Sequence, residues 1–163
     1  MPNWCEGYLK IRGKKENVIN FLTEGVNAYE RVVFEPNEDS MAARIEYAPR
    51  KKDYISVDDD TITYNLPNRD GMIYVEGTKR GFIVPDHYIY ICGMDEGIFP
   101  FVKDKKKNES YKLDEVVAVV LYKQAWDICI HELCDISRKY SIDFKIYGVE
   151  QGMGFGQEIE IWN

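Results

Sequence analysis

The chain alternates strictly near both ends, and that period of two most narrows the folds open to it. Between residues 4 and 12, Cys5, Leu9 and Ile11 fall on one side of an extended chain, with Trp4, Tyr8, Lys10 and Arg12 on the other. Near the far end, Ile159 and Ile161 oppose Glu158, Glu160 and Trp162 in the same way. Strands of this kind shelter one side of a sheet and leave the other for water or for a partner.

The residues between them supply the shelter. Residues 14–27 place Val18, Leu22 and Val26 at four-residue intervals with Ile19 beside them, which predicts an amphipathic helix. Residues 125–140 turn helical again, with Trp126, Cys129, Ile130, Leu133, Ile136 and Tyr140 on one stripe. Short β-prone runs at 43–47, 61–66, 72–76, 81–84 and 88–92 recur between turn clusters, and four valines within 116–121 favour a strand there. The pattern loosens over 29–40 around Pro36, and the charged stretch 103–107 reads as an exposed loop. Two strands, 143–149 and 157–161, close the chain around Gly152, Gly154 and Gly156. The predicted class is α+β, with two helices on one face of a mainly antiparallel sheet. A length of 163 residues, without repeat or linker, fits a single domain over 1–163 with a β-rich insertion around 50–110.

Composition bounds the partners. A formal net charge of −7 repels phosphate backbones at long range, so nucleic acid is disfavoured, although acidity leaves room for a local basic groove. No signal-like start and no membrane-spanning apolar run is present, so the expected location is cytoplasmic, with no membrane partner. There the four cysteines, Cys5, Cys92, Cys129 and Cys134, read as reduced, buried apolar residues.

Three places carry a resemblance: Pro2, Asn3, Trp4 and Cys5 with Leu9, Ile11 and Gly13; Gln124, Ala125 and Trp126; and Ser137 to Tyr140 continuing through Glu150, Gly152 and Phe155. Together they resemble the YubB-like family of plasmid and phage proteins, and the middle of the chain does not match. The resemblance implies a ferredoxin-like core of two β-α-β units with inserted strands, and an origin on a mobile genetic element. It brings no catalytic residue, because that family has no agreed active site.

The chemical motifs resolve mostly into structural features. Cys129, His131 and Cys134, with Cys5 or Cys92, lack the paired spacing of a structural zinc site, and residues 129 and 131 point apart on a helix. The glycine run at 152–156 does not lead from a strand into a helix, as a phosphate loop must. Asp58, Asp59 and Asp60 fail the calcium-loop template because Ile62 stands where an oxygen ligand belongs. A Ser or Cys nucleophile needs a base, and only His87 and His131 are available as histidines. No cofactor and no metal is expected, and enzyme activity has no support.

The open side of the terminal strands is what remains. Trp4, Tyr8, Arg12, Glu158, Glu160 and Trp162 would form one mixed aromatic and charged surface if those strands are neighbours, a composition typical of binding hot spots. The alternative is that the inserted strands, or a second copy of the chain, cover it. The expected function is a non-enzymatic protein-interaction module with a host or self-encoded protein partner, for example a nucleic-acid-handling or defence component of the host. The competing expectation is a single-stranded RNA or DNA binder using Arg80, Phe82 and Tyr88, in the manner of an RNA-recognition motif.

Overall fold

The period of two at the start of the chain becomes an 11-residue strand, β1 (Trp4–Lys14), which runs directly into α1 (Lys15–Glu24) in a computed structural model. The structure describes residues 3–34, 44–49, 54–66, 72–85, 88–93 and 114–163. The expected loops at 36–40 and 103–107, and His87, lie outside them. Along the chain follow β2 (Val26–Phe34), β3 (Arg44–Pro49), β4 (Ile55–Asp58), β5 (Thr61–Tyr64), β6 (Ile73–Val75), β7 (Gly81–Val84), β8 (Tyr88–Gly93) and β9 (Glu115–Ala125). The second helix, α2 (Ile130–Tyr140), then leads to β10 (Asp143–Glu150) and β11 (Phe155–Ile161). The molecule is an α+β protein whose described strand pairs are all antiparallel.

The sheet runs β11-β10-β1-β9-β7-β6-β2-β3, with a branch β8-β5-β4 that also leaves β9. The fork arises because β7 and β8 pair successively with the same edge of β9. Val84 lies opposite Leu121 and Ile91 opposite Ala118, so between these pairings the chain advances seven positions on one side and three on the other. The excess, which includes Pro85, lets the chain leave the ladder, and β8 pairs onward with β5.

Both helices pack on the side of the sheet that carries Cys5, Leu9, Ile11, Ala118, Val120, Phe144, Ile146, Ile159 and Ile161, all buried. Removing each of the larger side chains from water contributes about 1.5–3 kcal/mol. That packing matters for α1, since an isolated helix shorter than ~12–15 residues is marginal in water. Phe21 of α1 meets Phe144 and Tyr140 edge to face, with both centroid separations 5.5 Å. The forked branch reaches the same helix: the Tyr64 hydroxyl donates to the Leu22 carbonyl at 2.5 Å, capping the end of α1. The Tyr54 hydroxyl in turn accepts from Ala28 N of β2 at 2.8 Å.

Several boundaries differ from the expectations. Helix α1 stops at Glu24 instead of 27, because the Gly25 amide closes its last turn on the Phe21 carbonyl and Val26 already opens β2, in a stretch read as the end of a helix and a loop. β4 was not expected, and Asp58 belongs to it while Asp59 and Asp60 form its turn. β9 continues to Ala125, so α2 starts at Ile130 and Trp126 lies in the connection. The described inserted strands leave Tyr8, Tyr147 and Leu121 of the open face exposed.

Candidate interaction face

The side of the sheet away from the helices is built from the alternate positions of its five central and terminal strands. Directly opposed residues place Glu158, Tyr147, Tyr8, Leu121 and Val84 in one row across β11, β10, β1, β9 and β7. Next to it lie Glu160, Lys145, Lys10 and Val119, and on the other flank Val149, Glu6, Lys123 and Phe82. Tyr8 is 63% exposed and Tyr147 59%, while Val119 and Leu121 are exposed beside them. Two tyrosines this open lie in the middle of a sheet whose other side is buried.

The flanks of the row are held by charge. Lys145 sits between Glu160, at 2.6 Å, and Glu158, at 3.5 Å. Burial works against its charge, but the two carboxylates hold its ammonium above the usual lysine range. Its cross-strand neighbour Lys10 shifts the other way, lowered by burial and by the adjacent Lys145 charge.

Each expected residue can be placed. Tyr8 occupies the centre of the face. Trp4 is half-buried at one end, its ring 5.9 Å from Phe82 with Lys123 over it at 5.2 Å. Phe82 also meets Tyr74 at 5.8 Å, so of the nucleic-acid candidates Phe82 shares the surface of Trp4. Arg12 is buried and ion-paired with Asp143, and its guanidinium lies 4.9 Å from the Trp162 ring, so this pair closes one end of the face. Glu158 and Glu160 belong to the Lys145 cluster. Arg80 stands apart on the turn before β7 with φ 59°, and Tyr88 is exposed on the branch, edge-on to Tyr90 at 4.8 Å.

Tyr147, Leu121, Val119 and Lys123 were not singled out from the sequence. Tyr147 follows from the same alternation, since it shares parity with Lys145 on a strand whose Phe144 and Ile146 are buried. The β9 residues needed the register against β1, which no local pattern encodes.

Next to the face, Asn3, Trp4, Glu6, Val149, Glu150 and Gln151 line a recess of about 300 Å³. The buried Glu150 carboxylate accepts from the Gly152 and Met153 amides, so it fastens the β10–β11 turn. Burial, with Asp127, Glu150 and Glu6 nearby, pushes the Cys5 thiol up, away from a reactive thiolate. Among the described residues, no group of three or more His, Cys, Asp or Glu is placed to hold a metal ion, and no helix is long and apolar enough to cross a membrane. Comparison with known proteins finds no matching family model, no similar curated protein and no similar solved structure.

Proposed function

We propose that this chain is a non-enzymatic protein-interaction module that binds through the open face of its sheet, and that it is an accessory protein of a phage or plasmid acting on a host protein. The observation that carries the binding part is the exposed row Tyr147, Tyr8 and Leu121, in register on adjacent strands and bordered by charge of both signs. Its mobile-element part rests on the resemblance of the two ends to the YubB-like proteins. Strand order supports the ferredoxin-like reading of the core. Two β-α-β units, β1-α1-β2 and β9-α2-β10, lie in the order β10-β1-β9 and then β2, with the β6–β7 hairpin wedged between β9 and β2.

The test compares wild type with Tyr8→Ser/Tyr147→Ser, both checked for unchanged melting temperature, in pull-downs from a bacterial lysate. A prey protein retained only by wild type is the expected result; identical prey sets, or no prey at all, contradict the reading. The competing nucleic-acid reading draws on the exposed Tyr88 and Tyr90 and on the Trp4, Phe82 and Lys123 cluster. Retention of single-stranded oligonucleotides on a filter, lost on Phe82→Ala, would favour it over the protein partner.

A further inference from the structure

The row at the centre of the face is bounded in a self-complementary way. On β1, Glu6 and Lys10 flank Tyr8 at two residues on either side, on the same face and of opposite sign. A two-fold axis lying in the interface, running across the strands through Tyr8, reverses the strand direction of the second copy. Glu6 then meets Lys10 of the other copy, and Lys10 meets its Glu6. The same axis lays the row Tyr147, Tyr8, Leu121 and Val84 onto its own image, aromatic on aromatic and aliphatic on aliphatic. Equivalent strands of the two copies then run antiparallel with their axes nearly aligned, as in aligned sheet-on-sheet packing.

From these relations we infer that the open face binds a second copy of this chain, forming an isologous, face-to-face dimer centred on Tyr8. The inference rests on the reading of this face as an interaction surface, which the second copy covers whenever no host protein is bound to it. An isologous contact requires a surface complementary to itself, which a patch of single charge cannot be. Here the charges bordering Tyr8 along β1 meet that requirement. Area does as well: strands spaced ~4.8 Å apart and rising ~3.3 Å per residue give the five-strand face about 24 Å by up to about 35 Å, on the order of the ~800 Å² each partner gives to a specific interface. At the rim the axis sets Glu158 against its own copy, with Lys145 at 3.5 Å from each to offset the repulsion.

Charge exchange tests the arrangement. Glu6→Lys places Lys opposite Lys10 at both symmetry-related contacts, and Lys10→Glu places Glu opposite Glu6. Sedimentation velocity is expected to show a wild-type dimer, each single variant at least tenfold weaker in self-association, and an equimolar mixture of the two variants dimerising like wild type. The mixture also reports folding, because only two folded chains with opposite charges can pair. A wild type that stays monomeric at every concentration overturns the inference, as do variants that dimerise like wild type or a mixture that stays monomeric. A monomeric wild type that still captures a prey protein through Tyr8 and Tyr147 removes the dimer alone and leaves the proposed interaction module intact.

Discussion

Gly7 and Gly148 face one another across β1 and β10, and each is fixed by what surrounds it. A Cβ on Gly7 would overlap the Tyr147 carbonyl, and one on Gly148 would overlap the Ile128 side chain, which packs directly over it. Gly148→Ala should therefore cost about 1–3 kcal/mol in denaturant unfolding, whereas Gly93→Ala, with nothing near the added methyl group, should stay within about 0.5 kcal/mol of wild type. Equal effects at the two positions would refute the packing assigned to Ile128. Lys145 gives the pH counterpart. Its folded value is raised, so its contribution to stability is complete below the ordinary lysine value of 10.5 and is lost as the pH climbs through the higher folded one. Lys145→Gln should lower stability at neutral pH by about 0.5–1 kcal/mol. The gap from wild type should narrow above pH 10.5; a constant gap across that range would refute the ion-pair account. At this level the sequence was readable where alternation is strict: Tyr8, Glu158 and Glu160 sit on the side their parity assigns. The burial of Arg12 was not readable, because it depends on Asp143 and Trp162 arriving from the other end of the chain.

At the level of elements, the misread segments have a common cause. Val18, Leu22 and Val26 are four apart, a spacing that fits a helix face and equally the even positions of a strand, so Val26 was counted with α1 although it opens β2. Trp126 fitted the stripe of α2 but lies in the connection, with φ 76° and its amide donating to the Asn3 carbonyl at 2.7 Å. A left-handed backbone costs a bulky L-residue roughly 1–2 kcal/mol. Trp126→Gly should therefore hold or raise thermal stability, by up to about 1 kcal/mol; a loss would show that the exposed indole contributes to the fold. The start of α2 is fixed instead by Gln124. Its amide oxygen accepts from the Tyr122 hydroxyl and the Cys129 amide, each at 3.0 Å, and its nitrogen donates to Glu132 at 2.7 Å. Gln124→Leu strands these buried groups and should cost about 2–3 kcal/mol, measured by chemical unfolding, whereas Cys92→Ser on β8 should leave this junction untouched. A neutral Gln124→Leu would mean the network is not what joins β9 to α2.

For the molecule as a whole, the sequence disclosed the class and the sidedness, and it missed the fork. Strand β9 is where both branches leave, and the excess of chain between Val84 and Ile91 carries no local signature beyond Pro85. The meeting of Trp4 with Phe82 likewise depends on β1 and β7 flanking the same strand, a long-range pairing that no window of sequence contains. Sidedness is the property on which the interaction reading rests, and hydroxyl-radical footprinting of the tyrosines, read by mass spectrometry across a dilution series, reports it directly. Tyr64 and Tyr122, buried beneath the helices, should resist modification at every concentration. Tyr8 and Tyr147 should be modified rapidly in dilute protein and become protected together as the concentration rises. Tyr8 as protected as Tyr122 in the dilute monomer, or unprotected at every concentration and with any partner, would contradict the account.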